Sequence, residues 1–275
     1  MDNTKNPIEN PTSAEAYVNR GNKFYNQGDY QVAISDYDEA IRLNPEYAIA
    51  YNNRGAAKGE LGHPEAAISD YDEAIRLDPD NARAYNNRGN AKTRLGRYFE
   101  AISDYDQSAR LNPEYAAVYY NRGNAKLRLG HSEVAIPDYD EAIRLNPDEV
   151  KFYVDRGNAK GDLGKYFEAI SDYDEAIRLD PLGPDEAIIY NNRGFAKSKL
   201  GHPEVAISDY DEAIRLNPEY AKAYNNRGNA KKELGHLESA ISDYDEAIRI
   251  DPEYTLARTN RENAQKALRE REKET

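Results

Sequence analysis

The sequence predicts an all-α array of antiparallel helix pairs, and three observations carry this prediction. A glycine follows an arginine at 21, 55, 89, 123, 157, 194 and 228, so the spacing is 34 residues except for one step of 37. A proline recurs in the same phase, at 45, 79, 113, 147, 181, 218 and 252. Between these markers, the small and apolar residues follow a helical period of about 3.6 residues. A fixed period in this range is typical of stacked repeats, in which each unit buries its apolar face against its neighbours.

Composition and charge argue against several classes of function. The 275-residue chain has a formal net charge of -13, which disfavours nonspecific attraction to nucleic acid or to an anionic membrane. It contains no cysteine, so it has neither a disulfide framework nor a thiolate nucleophile or metal ligand. No apolar run approaches the length of a membrane span. We therefore expect a soluble protein, located in the cytoplasm.

The first helix of each repeat is predicted over fourteen positions, which begin at Ala48 in the second repeat; we number this residue position 1. Gly62 follows the helix, because glycine readily adopts the left-handed conformation found at helix ends. Gly55, at position 8, lies inside the helix, where glycine costs roughly 1 kcal/mol relative to alanine. Its recurrence predicts a close approach by the partner helix, which we assign to the small residues Ala67 and Ala74.

The second helix is predicted over positions 17–30 and begins at Pro64 in the second repeat. Proline in the first turn costs little, because its missing N–H has no partner there. Asn44 and Pro45 show how this helix ends, since proline restricts the residue before it. Asp72 and Arg76, four residues apart, are predicted to pair on its surface. Each repeat is therefore an antiparallel helix pair.

The second repeat carries a resemblance to a known family in six residues: Tyr51, Gly55, Ala67, Tyr71, Ala74 and Pro79. They match the pattern of the tetratricopeptide repeat, and the other six repeats between residues 14 and 254 match almost as well. The resemblance implies a right-handed superhelical solenoid of helix pairs. It also implies a non-enzymatic scaffold whose first helices line a concave groove, which usually holds an extended or helical peptide.

The chain departs from the family pattern at three charged positions. Position 7 is arginine instead of leucine, position 11 is lysine instead of tyrosine in repeats 2 to 7, and position 23 is always aspartate. These residues are Arg20, Arg54, Arg88, Arg122, Arg156, Arg193 and Arg227; Lys58, Lys92, Lys126, Lys160, Lys197 and Lys231; and Asp36, Asp70, Asp104, Asp138, Asp172, Asp209 and Asp243. A buried charge without its partner costs several kcal/mol, so we predict a ladder of partly buried ion pairs between helices. The alternative is that the basic residues extend into solvent unpaired.

The first repeat indicates a direction for this ladder. It has no preceding repeat and carries Phe24 in place of the lysine, which predicts that each lysine binds an aspartate of the preceding repeat. Arginine at position 7 persists at both ends, as Arg20 and Arg261, so its partner repeat stays open.

Repeats 4 to 6 are predicted to be the least regular part of the array. Pro137 lies well inside a second helix, where proline removes a hydrogen bond and bends the helix. A three-residue insertion near 182–186 follows, together with the substitutions Asp155 and Phe195. A functional bend and simple sequence drift are equally open explanations.

The repeats define the domain boundaries. Residues 1–12 are predicted to be a disordered polar leader, residues 13–254 the seven repeats, and residues 255–275 a capping helix and charged tail. In the cap, Leu256, Ala264 and Leu268 are predicted to share one side of a helix that ends near Glu270, followed by a frayed tail. Glu262 stands where the repeats have glycine.

The groove implied by the family resemblance supplies the candidate binding site. In that family, positions 2, 5, 9, 12 and 13 of the first helix face the groove. The peptide-binding residues predicted in this way are Arg83, Asn86, Asn90, Arg94, Tyr120, Asn124, Arg128, Lys151 and Asn158. Asparagines can hydrogen-bond a peptide backbone and arginines can bind carboxylates, so we predict a preference for acidic ligands. The alternative is that the asparagines recur only because the repeats were duplicated.

One known site of the family is not supported. Its carboxylate clamp for chaperone C-termini needs lysine at position 5 and arginine at position 6, and no repeat here has either.

Catalysis and metal binding are not predicted. The four histidines, His63, His131, His202 and His236, occupy the same turn of different repeats, about 10 Å or more apart, so they cannot converge on one metal ion. The recurring serine, histidine and aspartate keep a spacing that the repeat dictates. We therefore predict no enzymatic activity, no cofactor and no metal.

Two functions remain open, and a third is opposed by charge. The first is an adaptor, monomeric or a weak homodimer, that binds a protein or peptide ligand. The second is a structural or self-association module, including one that is part of a larger regulatory protein. An RNA-binding helical repeat is opposed by the acidic composition.

Overall fold

The computed structural model describes residues 12–181, 183 and 186–274. The predicted leader at 1–12 therefore lies almost entirely outside the described residues, as do three positions of the predicted insertion at 182–186. The described residues form helices and no strand, which confirms the all-α fold. The helices are α1 (Ala14–Asn26), α2 (Tyr30–Leu43), α3 (Ala48–Glu60), α4 (Pro64–Leu77), α5 (Ala82–Arg94), α6 (Tyr98–Leu111), α7 (Ala116–Arg128), α8 (Ser132–Leu145), α9 (Val150–Asp162), α10 (Tyr166–Leu179), α11 (Glu186–Lys199), α12 (Pro203–Leu216), α13 (Ala221–Glu233), α14 (Leu237–Ile250) and α15 (Thr255–Glu274).

The chain forms two compact units, Met1–Gly130 and His131–Thr275, and each is described by itself. In the first unit, α1 packs against α2, α3 against α4 and α5 against α6, and each second helix also packs on the first helix that follows it, up to α7. The second unit repeats this arrangement with α9 and α10, α11 and α12, and α13 and α14, preceded by α8 and followed by α15. The helix pair is therefore the building block of both units.

The turn residues explain where the helices begin and end. Gly62 has a φ of +80°, the left-handed conformation predicted for the end of the first helix. Pro64 is the first residue of α4, as expected for a residue that needs no N–H partner there. Asn44 is extended, with φ −138° and ψ 92°, just before Pro45. These three predictions of local structure are confirmed.

The glycine inside the first helix makes room for a tyrosine ring. A Cβ atom added to Gly55 would lie 2.8 Å from Cε1 of Tyr71 and 3.1 Å from the carbonyl oxygen of Ala67. Tyr71 is 5% exposed, and Ala67 and Ala74 are fully buried. The predicted close approach is therefore confirmed for Ala67, but no atom of Ala74 is among the three nearest and the ring of Tyr71 makes the closest approach.

The last helix differs from the predicted cap in two respects. Ala264 is buried as expected, but Leu256 is 54% exposed, and Ala257 instead lies at 0% exposure. The helix also continues to Glu274 rather than ending near Glu270, and Arg271 donates to the carbonyl oxygen of Gly235 at 3.2 Å. Arg271 therefore joins the tail to the preceding repeat, while residues 269–273 are exposed, as expected for a solvated tail.

Pro137 does not interrupt its helix. It is the sixth residue of α8, which continues for 14 residues from Ser132 to Leu145. The side chain of Pro137 is exposed, so its ring does not displace the core.

The arginine at position 7 joins three helices. Arg54 on α3 donates through Nε and Nη2 to Asp70 on α4, at 3.0 and 2.6 Å, and through Nη1 to Asp38 on α2, at 2.6 Å. Its guanidinium also lies 5.3 Å from the ring centroid of Tyr51. The same two aspartate contacts are made by Arg88 with Asp104 and Asp72, Arg156 with Asp172 and Asp140, Arg193 with Asp209 and Asp174, and Arg227 with Asp243 and Asp211. This confirms the predicted ladder and shows that arginine links its own repeat to the preceding one.

The lysine at position 11 reinforces the same carboxylate. Nζ of Lys58 lies 2.7 Å from Asp70, which belongs to the same repeat. The prediction of a partner in the preceding repeat is therefore wrong. The physical reason is that positions 7 and 11 lie four residues apart on one helix face, so both side chains reach one carboxylate. Equivalent pairs are Lys92 with Asp104, Lys160 with Asp172, Lys197 with Asp209 and Lys231 with Asp243.

The ladder has distinct ends. Among the described residues, Arg20 pairs with Asp36 alone. Arg261 on α15 pairs with Asp245 alone, and its buried Nε has no hydrogen-bond partner in the described part of the chain. The first and last arginines therefore each lack one of the two carboxylates that the internal arginines bind.

Burial and hydrogen bonding act in opposite directions on these charges. Burial by itself would lower the pKa of Arg88, but its hydrogen bonds to Asp104 and Asp72 outweigh this effect and raise the pKa above its ordinary value. Asp104 is only 4% exposed, so its charge depends on these partners rather than on water.

The predicted surface pair of Asp72 and Arg76 is wrong. Arg76 instead binds Glu73 at 2.6 Å, three residues away, and Asp72 binds Arg88 of the next repeat. The carboxylate of Asp72 is therefore used between repeats rather than within its own helix.

One buried acid has no such partner. Glu186, at the start of α11, is 5% exposed, and its Oε2 has no hydrogen-bond partner among the described residues. Burial raises the pKa of this carboxyl, with the nearby Glu212 acting in the same direction and Arg215 opposing it.

We expect Gly55→Ala to destabilise the protein and Gly59→Ala, in the same helix, to leave it unchanged or slightly more stable. A Cβ on Gly55 meets the Tyr71 ring at 2.8 Å, whereas a Cβ on Gly59 has no neighbour closer than 3.9 Å. Overpacking costs about 1–3 kcal/mol, while alanine favours a helix by up to about 1 kcal/mol. Urea denaturation followed by circular dichroism measures both. Equal loss of stability in the two variants contradicts the role of the ring.

Asp104→Asn should cost about 3–5 kcal/mol of unfolding free energy, because it leaves Arg88 and Lys92 without their buried carboxylate. Asp72→Asn removes the other partner of the same arginine, at an aspartate side chain that is 56% exposed, and should cost less than about 1 kcal/mol. Urea midpoints compare the two variants. A cost for Asp104→Asn no larger than that for Asp72→Asn shows that the ladder contributes little.

For Glu186, the folded protein holds the proton more tightly than the unfolded chain, because its folded pKa is raised. This contribution to stability is therefore present at acid pH and is lost as the pH rises from the unfolded pKa through the folded one. The unfolding free energy of Glu186→Gln, relative to that of the wild type, should increase between about pH 4 and pH 7. A difference that stays constant over this range contradicts the raised pKa.

Candidate functional site

Asparagines at positions 5 and 6 form a second network, between neighbouring first helices. Asn87 on α5 donates through Nδ2 to Oδ1 of Asn52 on α3, at 3.1 Å. Where position 5 is valine, the donor binds the asparagine at position 9 instead, as Asn53 does with Asn22 at 2.9 Å. The other described contacts of this network are Asn121 with Asn86, Asn226 with Asn191, Asn260 with Asn225, and Asn192 with Asn158. These asparagines therefore have a role in joining repeats that duplication alone does not explain.

Asparagine at position 9 also accepts a hydrogen bond from the second helix. The hydroxyl of Tyr105 donates to Oδ1 of Asn90 at 2.8 Å. The same contact is made by Tyr37 with Asn22, Tyr173 with Asn158, and Tyr244 with Asn229. Two repeats lack the acceptor, because Ala56 and Phe195 occupy position 9.

The tyrosines opposite these two substitutions have unpaired hydroxyls. Tyr71 is 5% exposed and Tyr210 is 1% exposed, and neither hydroxyl has a hydrogen-bond partner among the described residues. Burial raises the pKa of both phenols, so each hydroxyl keeps its proton at neutral pH and can act as a donor.

The first unit contains two adjoining concave regions on the side of its first helices. One, of about 350 Å³, is lined by Arg83 near the start of α5 and by residues of α1 and α3. The other, of about 100 Å³, is lined by Arg94 at the end of α5 and by Glu60 and Tyr71. Both regions are bordered by Tyr25, Ala56 and Asn87.

The predicted site residues on α5 fall into two groups. Arg83 is exposed and makes no hydrogen bond or ion pair with the described residues. Arg94 donates to a carbonyl oxygen at the end of α3, at 2.5 Å, and lies 3.5 Å from Glu60. In contrast, the side chain of Asn86 is 3% exposed and engaged within the protein. Asn90 accepts from the buried Tyr105 and also lines the smaller concave region.

The remaining predicted residues lie on other first helices. Tyr120 and Asn124 are half-buried on α7, and Arg128 is exposed at the end of that helix. Lys151 is exposed at the start of α9, 3.2 Å from the carboxylate of Glu149. None of these four borders the concave regions just described. The fifth, Asn158, accepts from Tyr173 and lines a concave region of the second unit.

The sequence analysis missed the contribution of the first two repeats. Tyr25 and Asn26 of repeat 1 occupy positions 12 and 13 and line the larger region of the first unit. The groove positions of the family (2, 5, 9, 12 and 13), if applied to repeats 1 and 2 as well, would have identified them. Asn87, at position 6, is not at one of these positions and could not be identified in this way.

The structure also bears on the predictions about metal ions and membrane spans. The histidines at the inter-helix turns are exposed, each just before a second helix. No group of three or more His, Cys, Asp or Glu residues in the described part of the chain could hold a metal ion. None of the described helices is both long and apolar enough to cross a membrane.

Solved structures with a similar fold include two that are described as tetratricopeptide repeat proteins. YrrB, described as a TPR protein with an unusual peptide-binding site, is 27% identical over 68% of this chain and 95% of its own, with a TM-score of 0.60. A tetratricopeptide repeat protein from Parabacteroides merdae is 22% identical over 93% of this chain and 100% of its own, with a TM-score of 0.62. The Cut9–Hcn1 structure from the APC/C is 18% identical over 93% of this chain and 50% of that one, with a TM-score of 0.67, and shows the fold alone.

Sequence comparisons identify the family. A comparison with curated proteins finds no match. A family model described as TPR repeat matches residues 21–62, 60–96, 89–130 and 204–235. Two models described as tetratricopeptide repeat match residues 221–254 and 120–184. The fold of this family is a general scaffold for protein–protein interaction, typically without enzymatic activity. The chain belongs to the tetratricopeptide repeat family.

Proposed function

We propose that this protein is a non-enzymatic adaptor that binds an extended, acidic peptide segment in the first unit, against α1, α3 and α5. The single observation that carries the proposal is the position of two arginines at the two concave regions, Arg83 at one and Arg94 at the other. Arginine binds carboxylates through paired hydrogen bonds, so the two regions favour acidic side chains.

The spacing of the arginines defines the ligand. They lie 11 residues apart on α5, which is about three turns, so they project from nearly the same face. At a rise of 1.5 Å per residue, their Cα atoms are separated by about 16 Å. An extended chain covers this distance in about five residues. Side chains of an extended chain share a face only at even separations, so the expected ligand carries two acidic side chains four or six residues apart.

The two arginines are not equally available. Arg83 has no partner among the described residues, so a ligand carboxylate meets no competitor there. Arg94 is held by the end of α3 and lies 3.5 Å from Glu60, so a carboxylate at this position competes with Glu60. The stronger contact is therefore expected at Arg83.

The surface between the arginines supports an extended backbone. The Tyr71 hydroxyl borders the smaller region and has no acceptor within the described residues, so it can donate to a peptide carbonyl. Tyr25 borders both regions and offers an aromatic face. Asn86 supports this surface from within, whereas Asn90 lines the smaller region and can contact the ligand.

The other predicted peptide-binding residues are not required for the proposed contact with the acidic segment. Arg128, Tyr120 and Asn124 on α7 extend the basic and polar surface of the first unit for a longer ligand. Lys151 and Asn158 belong to the second unit and are not needed for this segment. The description of YrrB as a peptide-binding TPR protein is consistent with the same class of ligand.

The second candidate function, a self-association module, follows from the same family membership. Light scattering separates the two, since the adaptor is expected to be a monomer that binds peptide, and the alternative a closed dimer without a peptide ligand.

Arg83→Gln/Arg94→Gln is expected to weaken binding of an acidic peptide by roughly tenfold or more, because two charge-assisted contacts are lost. The probes are fluorescein-labelled Gly/Ser peptides with two glutamates four or six residues apart, measured by fluorescence anisotropy. The control peptide has glutamines in their place and should bind weakly.

A matched protein control is Arg97→Gln/Arg110→Gln. These two arginines are exposed and line neither concave region, and their replacement changes the net charge equally. Equal weakening by both double variants shows that binding reflects overall charge, and no weakening by Arg83→Gln/Arg94→Gln overturns the proposed site.

A further inference from the structure

The second unit carries an aromatic residue where other repeats have asparagine. Phe195, at position 9 of α11, is 43% exposed. It borders two concave regions, one of about 280 Å³ shared with α9 and α10 and one of about 430 Å³ shared with α12 and α13. An exposed aromatic ring between two concavities is a surface that a ligand can cover.

Two neighbours fix the position of this ring. Tyr166 packs edge-on against it, with ring centroids 6.5 Å apart. Nζ of Lys199 lies 5.2 Å from the ring centroid. These contacts orient the ring and place a cation next to it, while leaving much of its surface exposed.

The substitution is unfavourable for the protein on its own. In repeat 7, Tyr244 donates to Asn229 at position 9, at 2.9 Å. Phe195 cannot accept such a bond, so the hydroxyl of Tyr210, which is 1% exposed, has no partner in the described residues and borders the larger concavity. The chain therefore lacks a part-buried hydrogen bond and exposes an aromatic ring at the same position.

The charges around the ring define the ligand further. Lys199 and Lys232 border the larger concavity, and neither is paired with a carboxylate among the described residues. Glu233 lies on the same border, and Asp162 borders the smaller concavity. Lys199 and Lys232 therefore lie at the concavity that Tyr210 also borders, between α11 and α13.

We propose that this surface of the second unit is a separate peptide-binding site, which takes an aromatic side chain against Phe195 and an adjacent carboxylate at Lys199 and Lys232. The Tyr210 hydroxyl donates to the peptide backbone or to the same carboxylate. The site goes beyond the acidic segment proposed for the first unit, because it uses other residues and requires an aromatic group.

The absence of tryptophan from the chain permits a direct test. The probe is a short Gly/Ser peptide with one tryptophan followed by a glutamate, excited selectively and followed by its own fluorescence. The wild type should bind it, and a peptide with serine in place of tryptophan should fail to compete. A peptide with glutamine in place of glutamate should compete more weakly.

Phe195→Asn is the matched variant, because it introduces the residue that five of the other six repeats carry at position 9 and with it an acceptor for the Tyr210 hydroxyl. It should fold with at least wild-type stability and bind the probe about tenfold or more weakly, as expected for loss of an aromatic anchor. Lys199→Gln/Lys232→Gln keeps the ring and should abolish the preference for glutamate over glutamine. Arg83→Gln/Arg94→Gln should bind the probe like the wild type, which separates this site from the first.

Three results overturn the proposal. The first is unchanged affinity for the tryptophan peptide in Phe195→Asn. The second is a preference for the glutamate peptide over the glutamine peptide that is as strong in Lys199→Gln/Lys232→Gln as in the wild type. The third is a wild-type dimer that Phe195→Asn converts to a monomer in analytical ultracentrifugation, because the ring is then covered by a second copy of the chain.

Discussion

The rest of the structure depends on one buried carboxylate in each repeat. The aspartate at position 23 lies in the second helix, as Asp70 does at 4% exposure, and a charge at such a site is unfavourable without partners. Arginine and lysine from the first helix supply them, and the arginine continues to an aspartate of the preceding repeat. One group of charges therefore fixes both the geometry within a repeat and the contact between repeats. This places ionic contacts where the family pattern has leucine and tyrosine.

The polar contacts between helices also determine which side chains remain available to contact a ligand. Asparagines at positions 5, 6 and 9 bind one another and the buried tyrosines, so most of them are used by the scaffold. Differences between repeats then arise where this network is interrupted. Ala56 and Phe195 offer no acceptor to the hydroxyls of Tyr71 and Tyr210, and each of these hydroxyls lies next to a concave region. The concave surfaces of the two units therefore differ in chemistry. The two binding sites proposed for this array therefore lie at its irregular positions.

The fold was predictable because its signals are local. Gly62 and Pro64 place a turn through their own backbone preferences, and the 34-residue phase repeats that information seven times. Predictions of which residues contact each other in the folded protein were less successful. The glycine at position 8 was assigned to Ala67 and Ala74 although the Tyr71 ring lies closest, and the lysine at position 11 was assigned to the wrong repeat. Leu256 and Ala257 are adjacent, and only packing shows which of them is buried.

The sequence by itself determined the helix pair, its period, the family and the existence of a charge ladder, because turn chemistry, helical periodicity and the cost of unpaired buried charge all act through residue type and spacing. Only the tertiary structure decided which carboxylate each cation binds, which asparagines are buried and which arginines border a concave surface. Asn86 and Arg83 illustrate the difference, since both occupy positions assigned to the groove but only Arg83 is exposed. Exposure depends on how neighbouring helices pack, and a position within a repeat does not specify that packing.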